Sequence, residues 1–159
     1  MPSVMRKINV ISRCMRLYRE EQMPDCDLSG GQHSFVYAIC SHPGYSQDQL
    51  AKHVCVNKST VTRTLNQLEK NGYVTRIPSE TDKRVSLVYP TEKMKEILPK
   101  VRMISKSWNE SLTEGISESD QKIFFDVLAK LEARAKELTG ISDRSKEEDP
   151  KNEDSYQIS

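Results

Sequence analysis

The 159-residue chain carries 24 basic against 23 acidic residues and is 36% hydrophobic and 30% charged, proportions that read as one soluble globular domain, or one domain with an arm and a tail. No stretch approaches the roughly 20 apolar residues that span a bilayer. The apolar run at residues 8–11, behind Arg6 and Lys7, is too short for a signal-peptide core, so the cytoplasm is the expected compartment.

Val4, Ile8, Ile11, Met15 and Tyr18 recur at spacings of four and three. That is one apolar stripe on a helix, which Pro24 and Asp25 end. Ser29 followed by Gln32 is a capping-box pattern and opens a helix over residues 29–41. His42-Pro43-Gly44 stops it. Ser46 with Gln49 repeats the box and starts a short helix ending near His53. Asn57 is a good N-cap for a helix reaching Asn71, with Gly72 as its C′ residue. The period then changes. Residues 73–77 and 85–89 are β-branched or aromatic and alternate, and a polar, charged turn joins them into a two-stranded hairpin. Thr91 is the N-cap of the next helix, whose stripe is Ile97, Val101, Ile104 and Trp108. Pro99 is expected to kink or break that helix. Ser117 with Asp120 starts the last helix, Phe124, Leu128, Leu131, Ala135 and Leu138 continue the four-three spacing, and Gly140 ends it. Residues 141–159 hold six acidic against three basic residues and have little to bury, so a disordered tail is expected.

The central pair of helices carries the chemistry. A short helix, the three-residue connection Val54-Cys55-Val56 and a longer helix form a helix-turn-helix. Val61, Leu65 and Leu68 face Leu50, Ala51 and Val54. Lys58, Ser59, Thr62, Arg63 and Asn66 then point outward. Arg63 can donate two hydrogen bonds to guanine O6 and N7, Ser59 and Thr62 can reach base edges or phosphates, and Lys58 can hold phosphate. Residues 52–84 hold seven basic against three acidic residues, a local excess suited to a polyanion. At the hairpin tip, Lys83 and Arg84 suit a narrow minor groove, with Asp82 placed to pair with Arg84 and hold it extended. An ordinary solvated helix face and a surface ion pair are the plain alternatives, and the consecutive order of helix-turn-helix and charged hairpin favours DNA.

Several residue runs resemble the MarR family of bacterial regulators. They are Pro43-Gly44-x-Ser46-Gln47-x-x-Leu50-Ala51, Val56-x-Lys58-Ser59-Thr60-Val61-Thr62-Arg63-x-Leu65-x-x-Leu68-Glu69-x-x-Gly72-Tyr73-Val74-x-Arg76, Asp82-x-Arg84 and Thr91-Glu92-Lys93. Gln32 also sits where that family has a glutamine. The resemblance covers about residues 28–94. It implies that Ser59, Thr60, Thr62 and Arg63 face the major groove and that Arg84, supported by Asp82, enters the minor groove. The full candidate contact set is Asn57, Lys58, Ser59, Thr60, Thr62, Arg63, Asn66, Arg76, Asp82, Lys83 and Arg84. Met94, Pro90 and Pro99 depart from the family pattern.

The expected fold is mainly α with a small β hairpin. It comprises an N-terminal dimerisation helix (1–24), a winged helix-turn-helix DNA-binding domain (28–90), linker and C-terminal dimerisation helices (91–140) and the tail (141–159). Val4, Ile8, Ile11, Met15, Phe124, Leu128 and Leu131 either complete a monomer core or pair across a two-fold axis. The resemblance favours an intertwined homodimer that reads a pseudo-palindromic site in double-stranded DNA as a regulator, a repressor by expectation. It also implies a small aromatic effector held between the lobes. A thiol-based oxidant sensor using Cys14 is a second reading, Cys14 being otherwise a small buried hydrophobe. A winged-helix protein-interaction module without DNA binding is a third, although such a chain has no need of Arg63 or the Lys83–Arg84 tip. Cys55, in the turn, is expected to pack. Cys26, His33, His42 and His53 show no i, i+4 ligand spacing, so no metal or other cofactor is expected. The absence of a nucleophile constellation, a phosphate-cradling glycine loop or paired acids argues against an enzyme.

Overall fold

The computed structural model describes residues 3–141; the tail expected beyond Gly140 lies almost wholly outside them. The elements run α1 (Val4–Gln22), a short 3-10 turn (Gly30–Gln32), α2 (His33–Ser41), β1 (Tyr45–Ser46), α3 (Gln47–His53), α4 (Lys58–Lys70), β2 (Val74–Pro78), β3 (Ser86–Pro90), α5 (Glu92–Thr113) and α6 (Glu118–Thr139). They fall into two compact units that divide after Trp108, inside α5.

The caps read from the sequence are present. Ser29 and Gln32 close a reciprocal box, as do Ser46 and Gln49. Each box satisfies two helix-start N–H groups that have no partner inside the helix. The helix expected from Ser29 opens with the 3-10 turn before α2. Asn57 caps α4 through Thr60 N, at 2.8 Å from its Oδ1. Gly72, at φ 75°, occupies the left-handed position after the C-cap Asn71, a conformation that costs a residue with a Cβ. Ser117 and Gly140 bound α6.

The hairpin is part of a three-stranded antiparallel sheet in the order β1-β3-β2. β1 pairs Tyr45 with Val88 and Ser46 with Leu87, and Gly44 N donates to Val88 O at 2.8 Å. Two residues are too few to show an alternating pattern, so this strand has no periodic signal in the sequence. β2 pairs with β3 from Val74↔Pro90 to Pro78↔Ser86.

The core lies in the first unit. Val36, Ile39, Leu50, Val61, Leu65, Leu68 and Val88 are fully buried, and they join α2, α3, α4 and β3. Met94 and Val101 of α5 enter the same cluster. A side chain at position 94 therefore fills space rather than disturbing the linker. α5 runs through Pro99 without a break. The Pro99 ring is on an exposed stretch, where the carbonyl that loses its partner meets water, while Val101 and Ile104 anchor the following turn. Thr91 clasps the end of α4 to the start of α5. Its N–H donates to Tyr73 O at 3.0 Å, and its Oγ1 lies 2.7 Å from Gly72 O and 3.0 Å from Tyr73 O.

α1 and α6 contribute no buried residue. Val4, Ile8, Ile11, Phe124 and Leu131 are exposed, Phe124 by 54%, and Met15 and Leu128 are half-buried. These stripes do not complete a monomer core. The packing expected of two cysteines is not found: Cys14 and Cys55 are both exposed. Cys55 sits at φ 56° in the turn between α3 and α4, with its Sγ 3.6 Å from Lys52 O.

Candidate nucleic-acid interface

α3 and α4 pack through Leu50, Ala51, Val61, Leu65 and Leu68, all buried, with Val54 partly buried beside them. The apolar side of α4 is thus spent on the core, and the 3.6-residue period turns Lys58, Ser59, Thr62, Arg63 and Asn66 outward. All five are exposed, whereas Thr60 is half-buried.

Several of these side chains are already engaged. Asn57 Oδ1 accepts from Thr60 N at 2.8 Å and from Ser59 Oγ at 2.7 Å, so Asn57 shapes the helix start. Lys58 Nζ lies 2.9 Å from Asp48 on α3; both are exposed, so the pair is worth only ~0–1 kcal/mol and yields readily to a phosphate. Thr62 Oγ1 has two acceptors in reach, Lys58 O at 3.0 Å and Gln47 Oε1 at 3.2 Å.

Arg76 differs from the rest of the candidate set. It is half-buried on β2, and its guanidinium turns back to α4. Nε donates to Glu69 Oε2 at 3.1 Å, Nη2 pairs with the same carboxylate, and Nη2 also donates to Asn66 Oδ1 at 2.9 Å. The Arg76 hydrogen bond holds the Glu69 carboxyl below its ordinary pKa, so the pair is ionised at neutral pH.

At the wing, Ser79 N donates to Val85 O at 2.8 Å and Val85 N to Asp82 O at 2.9 Å, closing the loop. The Asp82 carboxylate accepts from the backbone N–H of Arg84 at 3.0 Å. This corrects the expected side-chain pair: Asp82 fixes the turn, as short acidic side chains do when they bond two residues on, and it bonds the Arg84 backbone rather than the guanidinium. Lys83 and Arg84 are exposed.

Residues considered for metal fall into separate settings. The His42 and His53 rings lie 4.8 Å apart, and Tyr45 stacks on His42 at 4.5 Å. Cys26 Sγ meets Tyr73 Oη at 3.3 Å. His33 is fully buried at the start of α2. No group of three or more ligating side chains forms among the described residues.

Two residues of this region were not singled out from the sequence. Gln47 touches Thr62, and Glu69 anchors Arg76. The second was detectable, since an acid at the end of a helix and a base on the next strand sit seven residues apart across a tight turn.

Residues 28–86 match the model of the MarR family. Over this segment the chain is similar to the MarR family. The MarR-type fold extends further, through the flanking helices. The chain is 28% identical over 122 residues to the HTH-type transcriptional regulator YybA of Bacillus subtilis (strain 168), covering 77% of this chain and 81% of that protein. A MarR family transcriptional regulator from Listeria monocytogenes, solved with a 26mer DNA, superposes with a TM-score of 0.77 at 25% identity over 84% of this chain and 89% of that one. FabT of Streptococcus pneumoniae, solved in complex with DNA, gives a TM-score of 0.71 at 25% identity over 85% and 96%. No helix among the described residues is long and apolar enough to cross a membrane.

Proposed function

We propose that this protein is a MarR-type DNA-binding transcriptional regulator, a repressor, that acts as a homodimer on a pseudo-palindromic operator. The observation that carries the reading is the outward side of α4, where Arg63, Ser59 and Thr62 are exposed on a helix whose other side is locked into the core. An α-helix of that kind fits the major groove, and an arginine there suits guanine. The exposed Lys83–Arg84 tip lies on the wing that follows and suits the minor groove. Asn57 and Asp82 act by shaping these two elements.

The exposed apolar stripes of α1 and α6 support the homodimer, because exposed apolar surface of this extent marks an interface. Two lobes related by a two-fold axis read half-sites about one helical turn apart, ~10 bp. A small aromatic effector that releases the DNA completes the reading.

Titration of a labelled duplex, selected from random sequence, tests it. Affinity falls steeply between low and moderate salt because neutralised phosphates release counterions. Arg63→Ala weakens binding by about 1–3 kcal/mol and relaxes sequence preference at one position per half-site. Affinity that is flat with salt, or absent in dilute buffer, overturns the reading.

A further inference from the structure

One side chain of the wing reaches the reading side of α4. Arg76 touches both Glu69 and Asn66, which lie three residues apart on that helix. A guanidinium carries donors and no acceptor. The Asn66 atom facing it at 2.9 Å is therefore the carbonyl oxygen, and the amide nitrogen is the atom left for other partners. Asn66 is exposed and follows Arg63 by three residues, so it belongs to the same helix face.

An unconstrained asparagine in the major groove pairs with adenine through two bonds: its oxygen accepts from N6 and its nitrogen donates to N7. The Asn66 oxygen keeps a second lone pair, but a donor approaching it meets the cationic guanidinium already there. The nitrogen is unaffected. It can still donate to guanine O6 or N7, thymine O4 or adenine N7, but adenine alone of the three sets a donor, N6, beside its acceptor, and the occupied Asn66 oxygen does not receive it.

We propose that Arg76 is a positioning residue for sequence readout: by occupying the Asn66 carbonyl it commits Asn66 to donate only, so the position that Asn66 reads favours guanine or thymine over adenine. The inference rests on the reading of α4 as the groove helix. Glu69 is the anchor of the device, since it holds the guanidinium from the other side. Arginine suits the task because its planar fork serves two acceptors at once, whereas a lysine is a point charge on a flexible stem.

The test is selection from a randomised duplex library by the full chain, in four forms: wild type, Arg76→Lys, Glu69→Gln and Asn66→Ala. Melting temperature and elution volume are recorded for each. Arg76→Lys keeps the charge, and Glu69→Gln keeps both Arg76 and Asn66, so a fold defect in one does not remove the test. In both, preference at one position per half-site shifts toward adenine by roughly tenfold relative to wild type. Asn66→Ala flattens preference at that same position. The inference is overturned if Arg76→Lys and Glu69→Gln select the wild-type sequence, or if the position they change is not the one Asn66→Ala changes. If the wild-type chain selects no sequence, the groove reading fails and takes the inference with it.

Discussion

Lowering the pH from 6.5 to about 4 costs the fold about 3 kcal/mol through His33 alone. The ring is fully buried, and neither Nδ1 nor Nε2 has a hydrogen-bond partner among the described residues. Burial first, and the charge of Arg19 second, lower its pKa from 6.5 to about 4. Below pH 6.5 the unfolded chain takes up a proton that the folded chain refuses. Stability therefore falls as the pH drops through this window and levels off beneath its lower end, while above pH 6.5 both states are neutral and nothing is lost. Each pKa unit is worth about 1.4 kcal/mol, so the loss at pH 5 is already about 2 kcal/mol. Against the 5–15 kcal/mol typical of a folded domain, that is a substantial fraction. Urea unfolding followed by circular dichroism at several pH values, at one protein concentration, measures it for the wild type and for His33→Leu. Carboxylates such as Glu69 titrate in both proteins and cancel in the difference. Wild-type and variant curves that run parallel with pH would refute the reasoning, as would an NMR titration placing the His33 midpoint near 6.5.

Gly30→Ala destabilises the chain by about 1–3 kcal/mol in the same unfolding assay, because an added Cβ falls 2.5 Å from the backbone oxygen of Arg16, an atom that cannot rotate away. A cost of a few tenths would show that α1 gives way freely at this contact. Placing a charge in the exposed α6 stripe, as in Leu131→Glu, shifts the chain from dimer to monomer in sedimentation velocity and lowers operator affinity with it, since one lobe reads only a half-site. An unchanged sedimentation coefficient would remove α6 from the interface.

Local signals were legible in the sequence wherever one residue satisfies a neighbour. Ser29 with Gln32, Ser46 with Gln49, Asn57 and Ser117 all cap where the spacing places them. The core of the helix-turn-helix followed from the 3.6-residue period, which puts Val61, Leu65 and Leu68 on one side. What escaped depends on partners distant in the chain. β1 exists because Val88 and Leu87 offer it an edge, not because Tyr45 and Ser46 carry a pattern. The stripes of α1 and α6 announce burial, but spacing is the same whether the partner is the chain's own core or another molecule. At the candidate site the outward set on α4 was legible and the internal wiring was not. Asp82 stands two residues before Arg84, yet it bonds the backbone rather than the guanidinium. Arg76 belongs to the candidate contact set, whereas its position on β2 directs it at Glu69.

The Thr91 clasp has a mechanical corollary. With its amide on the Tyr73 carbonyl and its hydroxyl beside those of Gly72 and Tyr73, the root of α5 and the trailing end of the α4 rod share a single pivot. Whatever tilts the first turn of α5 must drag that rod along, so a change in the pitch of one becomes a change in the docking angle of the other.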